Sequence, residues 1–507
     1  MLTMGHVLWV KVGKVRFALL VVSRACNEYD QAGSPPTLAC KHSPETQGCV
    51  VATMKTLKLS ELMAAFSYAL DITEGQPPGH CVRCCWIGMH IGRQIGLSQQ
   101  QLWALYYTLL LKDLGCSSNA ARICELYLTD DLQFKKGFKT VGDSKPRALS
   151  FVLSHTGLNE GLAARFKRVM SVIRHADELT HELISTRCQR GAEIARLLRF
   201  PAEVADGIRS LDEHYNGKGH PGGLAADQIP IYSRIALLAQ VIDVFHTEAG
   251  SQAALDEINL RSGRWFDPAL VKAFESVSRD PLFWEKLLSP GIDDAVYGLE
   301  PMNHHAVLDE DYLDDIAAAF GKVVDAKSPY TSGHSFRVAQ YTDMIAGRLN
   351  LSASRRRWLK RGALLHDVGK LGVSNSVLDK PGSLDEQEWF AVKQHAGYTE
   401  TILGRITVFD ELARVAGAHH ERLDGAGYPR GLAEQDIGLE TRIITTADIF
   451  DAITAERPYR AAIPVDKALE IMRKSVGTAL DPDCFDALCA GLDSGFQPSV
   501  NTDIKHN

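Results

Sequence analysis

The chain has 507 residues, 45% of them hydrophobic and 23% charged, with a net charge of −7. That is the balance of a globular chain long enough for two or three domains. No strongly basic stretch stands out, so duplex DNA and anionic membrane surfaces are poor partners, while a small anionic substrate held by a local cationic site stays open.

Residues 1–53 contain Ser34-Pro35-Pro36 and no sustained helical period. They are expected to form an irregular N-terminal extension. Met54-Lys55-Thr56-Leu57-Lys58-Leu59-Ser60 then opens an amphipathic helix, and the native protein is expected to start at Met54. Val15 to Val22 is apolar with basic neighbours, but it is short for a signal-peptide core and lacks a convincing cleavage site. With no run of 18 apolar residues, a cytoplasmic protein without a membrane span is expected. Eleven cysteines are scattered along the chain, and only Cys81, Cys84 and Cys85 are close together. They share an apolar helical run with Val82, Trp86 and Ile87, which points to buried thiols rather than zinc ligands. The odd count and the lack of a disulfide framework fit a reducing cytosol.

The rest of the chain reads as helical. Within 309–325, Leu313, Ile316, Phe320 and Val323 recur at helical spacing behind an acidic first turn. Val338, Tyr341, Ile345 and Leu349 repeat the pattern from His334 onward. Strand signals are few, so the expected fold class is all-α.

An internal repeat organises those helices. Gly79-His80-Cys81-Val82-Arg83 matches Gly333-His334-Ser335-Phe336-Arg337, and Leu111-Lys112-Asp113-Leu114-Gly115 matches Leu365-His366-Asp367-Val368-Gly369, both 254 positions apart. Glu213 to Pro221 matches Glu421 to Pro429, and Ile235 to Asp243 matches Ile443 to Asp451, both at an offset of 208. The first copy therefore carries about 46 extra residues between Asp113 and Glu213. The period is too long for a solenoid, so two copies of one helical domain are expected, at 54–295 and 300–500.

The second copy concentrates metal-binding chemistry. His334, His366, Asp367, His395, His419, His420 and Asp448 fall within 115 residues. Imidazole and carboxylate suit iron, manganese or zinc, and seven ligands exceed the needs of one tetrahedral ion. Two ions are expected, with Asp367 as the candidate bridge. Taken singly, each residue has an ordinary reading as a surface, core or turn residue; the order and spacing of the set carry the signal.

Those residues lie in His366-Asp367-Val368-Gly369-Lys370, in His419-His420-Glu421-Arg422-Leu423-Asp424-Gly425-Ala426-Gly427-Tyr428-Pro429, in Ala447-Asp448-Ile449-Phe450-Asp451-Ala452-Ile453-Thr454, and in Arg457-Pro458-Tyr459-Arg460. Over roughly 310–490 the chain resembles the HD superfamily of metal-dependent phosphohydrolases, and more closely its HD-GYP branch. The resemblance implies two tandem HD-type helical domains, with the second an HD-GYP phosphodiesterase. It implies a two- or three-ion iron or manganese centre held by the seven residues above. It assigns Lys370, Tyr428, Arg457 and Arg460 to the substrate's phosphates or guanine, with Asp367 and Lys370 as catalytic groups. Arg offers phosphate a planar fork and Lys a point charge. The activity it implies is hydrolysis of cyclic di-GMP to pGpG, or on to GMP. Three-ion members carry Glu where this chain has Tyr330, and often an acidic residue where it has Ser328. That departure favours two ions and pGpG as the main product.

The first copy keeps His80 and Asp113, but has Lys112, Cys116, Arg187, Leu211, Asp212 and Gln240 at the positions of His366, Lys370, His395, His419, His420 and Asp448. Ala249 and Gln252 replace the two arginines. It is expected to be a degenerate, non-catalytic HD domain used for packing, dimerisation or sensing. His80, His90, His155, His175 and His181 show no recognised ligand spacing. Three alternatives remain open beside the leading function: hydrolysis of another cyclic dinucleotide such as a mixed GMP-AMP ring, a non-catalytic receptor, and a module whose Gly-Tyr-Pro loop contacts a signalling protein. A homodimer is a further open expectation.

Overall fold

Helix follows helix through the larger part of the molecule because apolar residues return at helical spacing and polar caps mark the starts. The computed structural model describes residues 7–12, 15–20, 57–141, 145–158, 161–301, 308–456 and 461–499. The chain forms two units, Met1–Lys55 and Thr56–Asn507.

The first unit holds strands β1 (Val7–Val12) and β2 (Val15–Leu20), paired antiparallel from Val7↔Leu20 to Val12↔Val15. Both strands fall within the stretch expected to be an irregular extension, the remainder of which lies outside the described residues. Two short, mainly apolar runs flank Gly13-Lys14 in the sequence, and a two-residue spacing with glycine first is a hairpin signal. It is easily lost in a search for helical periods.

The second unit is all-α, as expected. Its first copy comprises α1 (Leu59–Thr73), α2 (His80–Gln94), α3 (Gln99–Leu111), a 3₁₀ turn at Cys116–Asn119, α4 (Ala120–Tyr127), α5 (Asp131–Phe138), α6 (Lys145–His155), α7 (Leu162–Arg174), α8 (Ala176–Leu197), α9 (Ala202–Arg209), α10 (Ile231–Arg261), α11 (Pro268–Val277), α12 (Pro281–Leu287) and α13 (Ile292–Tyr297). The second comprises α14 (Glu310–Asp325), α15 (His334–Arg348), α16 (Ala353–Leu365), a 3₁₀ turn at Val368–Gly372, α17 (Asn375–Leu378), α18 (Glu386–Leu403), α19 (Asp410–Gly417), α20 (Leu439–Thr454), α21 (Val465–Arg473) and α22 (Pro482–Asp493). Between the 3₁₀ turn and the long helix that follows, the first copy inserts α4–α7 where the second has α17 alone. That insertion is the extra length seen in the repeat.

Helix α14 shows how these elements are specified. Asp309 caps it by accepting from Tyr312 N at 2.7 Å, and Glu310 and Asp311 sit in its first turn, where carboxylates meet the positive end of the helix dipole. Its apolar stripe buries Ile316, Phe320 and Val323. Phe320 does not pack within its own copy alone: its ring stacks on Phe66 of α1, with centroids 3.7 Å apart. Such a pair adds about 1 kcal/mol to the burial of two phenyl rings. Ser117 Oγ donates to Val323 O at 2.8 Å, and Tyr312 OH to Leu198 O at 2.8 Å. Helices α1 and α14 thus each pack against the 3₁₀ turns of both copies, and one hydrophobic core runs through both repeats. Among the described residues no helix is long and apolar enough to cross a membrane.

Candidate metal centre

Each candidate ligand sits where the backbone is fixed by a partner. His334 is the first residue of α15, behind Gly333 at φ +69°, a conformation glycine adopts without strain. The carboxylate of Asp325 accepts from Ser335 Oγ at 2.7 Å and Ser335 N at 3.2 Å, which sets the start of that helix. His366 and Asp367 leave the end of α16 and enter the Val368–Gly372 turn. A Cβ on Gly369 would lie 1.9 Å from His395 O, so only glycine lets this turn lie directly on α18. Thr399 Oγ1 locks the two together, accepting from Gly369 N at 3.0 Å and donating to His366 O at 2.8 Å. His419 and His420 follow α19, and Thr445 Oγ1 holds His419 O at 2.8 Å. Asp448 is buried on α20.

The side chains are oriented by bonds on the far ring nitrogen. Nδ1 of His366, His395 and His419 donates to the carbonyls of Ala363, Val392 and Ala416 at 2.7, 2.5 and 2.6 Å. Nδ1 of His334 donates to Asp451 Oδ2 at 2.7 Å. A carbonyl or carboxylate can only accept, so Nδ1 carries the hydrogen in each ring and Nε2 is directed inward. This is the arrangement that fixes a histidine as a metal ligand.

The inward atoms form two groups. His334, His366 and Asp448 place ligand atoms within 4.8 Å of one another, as do His395, His419 and His420. Asp367 lies between them: Oδ2 is 3.4 Å from His334 Nε2 and 3.2 Å from His366 Nε2, while Oδ1 is 3.5 Å from His395 Nε2 and 3.6 Å from His419 Nε2. His334 Nε2, His366 Nε2 and Asp367 Oδ1 are buried without a hydrogen-bond partner. Buried polar atoms without partners are costly, and divalent ions would satisfy these. The donor set, imidazole with carboxylate and no thiolate, fits iron, manganese or zinc.

The charges agree. Burial opposes ionisation of His334 and His366, but the neighbouring carboxylates outweigh it: His334 is held well above the ordinary histidine range and His366 is pushed up to about 9. Burial likewise disfavours the charged forms of Asp367 and Asp448, yet the surrounding cations and hydrogen bonds keep both well below the usual carboxylate range. Burial pulls His395 down to about 4 against the opposing charge of Asp367, burial and the neighbouring His395 take His420 to about 3, and burial with His420 and His366 holds His419 well below its ordinary value. One half of the site therefore holds protons between carboxylates, where a cation would displace them. The other half presents neutral imidazoles.

All seven sequence-derived ligands converge. Lys370 Nζ reaches Asp367 Oδ2 from the rim. The Tyr428 ring lies 4.8 Å from that of His420, with Lys393 Nζ 5.6 Å from its centroid. Arg457 and Arg460 lie outside the described residues. Tyr330 sits in a 3₁₀ turn at Pro329–Thr331, and Ser328 Oγ donates to Asp379 at 2.5 Å. Sequence reasoning missed Asp451, which binds both His334 and Arg337, the latter at 2.6 Å. The signal was its place one turn beyond Asp448 on α20.

The first copy keeps the frame and changes most of the donors, though His80, Cys84 and Asp243, and Glu74, Asp113 and Cys116, still place ligand atoms within 4.8 Å of one another. His80 Nδ1 donates to Asp243 Oδ2 at 2.6 Å, as His334 does to Asp451. A Cβ on Gly115 would lie 1.8 Å from Arg187 O, as at Gly369. Where His366 faces Asp367 and Asp448, the ammonium of Lys112 binds Asp113 and, at 3.1 Å, Gln240 Oε1. Arg187 pairs with Asp212 at 2.8 Å. Cys81, Cys84 and Cys85 are fully buried free thiols. Among the described residues no candidate ligand group contains two of His80, His90, His155, His175 and His181.

A family model described as an HD domain matches residues 139–270 and 319–484, which spans both copies and more than half of the chain. The chain belongs to that family, in its HD-GYP branch of phosphodiesterases. It is similar to 3'3'-cGAMP-specific phosphodiesterase 3 of Vibrio cholerae serotype O1, with 56% identity over 89% of this chain and 98% of that protein. 3'3'-cGAMP-specific phosphodiesterase 1 of the same organism is 34% identical over 50% of this chain and 59% of its own length. The cyclic di-GMP phosphodiesterase response regulator RpfG of Xanthomonas campestris pv. campestris is 39% identical over 34% of this chain and 46% of its own. A crystal structure of a cyclic GMP-AMP-specific phosphodiesterase of V. cholerae, V-cGAP3, matches with a TM-score of 0.61 and 52% identity, covering 86% of this chain and 98% of that one.

Proposed function

We propose that the second copy hydrolyses a phosphodiester bond of a cyclic dinucleotide, and that 3′3′-cyclic GMP-AMP is the preferred substrate. One observation carries the reaction class: Asp367 turns its two oxygens toward two separate ligand groups. His334, His366 and Asp448 would hold one divalent ion and His395, His419 and His420 the other, with Asp367 shared and iron or manganese the favoured metals. When bound, two such ions supply Lewis acidity and a water of lowered pKa for in-line displacement at phosphorus. Water's oxygen joins the phosphorus, the bond to one 3′ oxygen breaks, and a linear dinucleotide with a 5′ phosphate results. Lys370 sets a point charge at the rim for the phosphoryl oxygens. Tyr428 offers an aromatic face for a base beside His420.

The motifs alone favour cyclic di-GMP and place the mixed GMP-AMP ring second. The similarity to the V. cholerae enzyme over nearly its full length reverses that order, whereas RpfG matches over less than half of its length. The eight described cysteines are free thiols, which supports action in a reducing cytosol. The first copy is non-catalytic in this reading, because Lys112 and Arg187 hold positive charge where ions would sit.

The test is turnover of 3′3′-cyclic GMP-AMP, cyclic di-GMP and cyclic di-AMP by manganese- or iron-loaded protein, beside an Asp367→Ala control. The expected result is a higher kcat/KM for the mixed ring and none in the control. A preference for cyclic di-GMP would refute the substrate assignment, and no turnover of any ring by metal-replete protein would refute the activity.

A further inference from the structure

The insertion α4–α7 is the principal difference in length between the copies, and it builds one side of a cavity of about 400 Å³ in the first copy. That volume lies within the range of small-ligand pockets. Tyr127, Phe134 and Phe138 from the insertion line it, with Tyr127 and Phe134 stacked at 4.0 Å. His214 and Trp265, also stacked at 4.2 Å, add two more rings. The charged lining is Lys135, Lys139, Arg187, Lys218 and Arg261 against Glu74 and Asp212. Lys139 and Lys135 pair with Glu74, Arg187 with Asp212 and Arg261 with Glu257, while the exposed Lys218 makes no ion pair among the described residues, so it is the cation of the aromatic cavity open to an anion. The cavity is framed by the counterparts of the catalytic elements, including Gln240 and the Lys218-Gly219-His220 stretch that matches Ala426-Gly427-Tyr428. Aromatic rings beside ammonium and guanidinium groups suit a ligand with a planar base and a phosphate.

The same insertion touches the segment that follows the Val368–Gly372 turn. Helix α5 brings Phe134, Lys135 and Phe138 to the cavity. Its first residue, Asp131, accepts from Ser374 Oγ and Asn375 N of the second copy, each at 2.9 Å. Ser374 lies two residues beyond the Val368–Gly372 turn that follows Asp367. These two bonds tie the start of α5 to the segment just beyond the turn that carries Lys370.

We infer that the first copy is a regulatory site for a purine nucleotide phosphate, and that α5 and Asp131 link its occupancy to the catalytic turn. Linkage is reciprocal, so substrate at the second copy shifts nucleotide affinity at the first.

The test uses full-length manganese-loaded protein with its metal ligands intact, because GMP and AMP hold no internucleotide phosphodiester bond and are not turned over. Titration calorimetry with GMP and AMP is expected to show one nucleotide per chain, with inorganic phosphate at least tenfold weaker. Lys218→Glu is on an exposed side chain and is expected to weaken binding at least tenfold while the protein stays folded; Lys139→Gln is expected to do the same from the interior. Hydrogen exchange at residues 368–376 is expected to slow on nucleotide binding, and not in Asp131→Asn. No binding, binding that Lys218→Glu leaves unchanged, or phosphate equal to the nucleotides would overturn the site. Unchanged exchange would overturn the link. None of these readouts needs catalysis, so failure here is distinguishable from failure of the proposed activity.

Discussion

Replacing Asp451 by Asn separates the support of the metal centre from its ligands. Asp451 touches no other inward-facing ligand atom; it holds His334 Nδ1 at 2.7 Å and Arg337 at 2.6 Å. The substitution keeps the volume, removes the charge, and leaves His334 free to rotate or to change tautomer. Loss of such an outer partner costs about 10–100-fold in metal affinity or activity. Asp243→Asn is the internal control, because His80 and Arg83 bind it in the same way at 2.6 Å. Both substitutions also break a buried charged pair, at a cost of about 2–4 kcal/mol. The cost is larger at Asp243, since the Arg83 side chain is 10% exposed and that of Arg337 is 30%. Metal content after dialysis against graded chelator, with thermal unfolding alongside, reads both effects. Asp451→Asn is expected to lose metal affinity at least tenfold with the smaller loss of stability. Asp243→Asn is expected to lose more stability and leave metal affinity within twofold. Equal metal affinity in wild type and Asp451→Asn would refute the orienting role.

Gly369→Ala forces a Cβ against His395 O and is expected to yield protein that either fails to fold or has lost its metal, read by soluble yield and metal content. Chelation of the loaded protein is expected to lower its unfolding temperature, because ions that bind only the folded state stabilise it; an unchanged temperature would count against the site. Glu74 is buried, and burial would raise its carboxyl, but Lys139 and Lys135 pull it down to about 2 from 4.5. Its contribution, about 3 kcal/mol at most, is present above pH 4.5 and is lost as pH falls from there towards 2. Acid unfolding of Glu74→Gln should be correspondingly less steep than that of wild type over that window, and identical profiles would contradict the assignment.

Much of the second copy was legible in the sequence because its chemistry sits in contiguous motifs. His366-Asp367 and His419-His420 each pair two candidate ligands side by side. The apolar stripe of Ile316, Phe320 and Val323 gave α14 directly. Three features were not legible. Asp451 looks like any helical acid until His334, more than a hundred residues away, is folded onto it. The partner of Phe320 is Phe66 from the other copy, and helical periodicity reports only which face is apolar, not what covers it. The hairpin at Val7–Leu20 rests on two six-residue strands, too short to stand out against an otherwise helical chain.

The two copies also show why loss of a metal site is hard to reverse. Lys112 alone supplies a permanent positive charge where His366 stands, and its ammonium satisfies Asp113 and Gln240 without any ion. Restoring histidine there would give Asp113 two imidazole neighbours, the restored one and His80, but Gln240 would still stand where Asp448 does. The other half of the site would still hold the Arg187–Asp212 pair and Leu211. Lys112 satisfies Asp113 and Gln240, and Arg187 and Asp212 satisfy each other, so these replacements are held by their own pairs without an ion. What remains in the first copy is the frame: Asp243 on His80 and Gly115 against Arg187, together with a cavity whose cations are now side chains. Side-chain cations such as Lys112 and Arg187 supply positive charge but no Lewis-acidic site for a water, whereas the second copy's inward imidazoles and carboxylates leave room for ions.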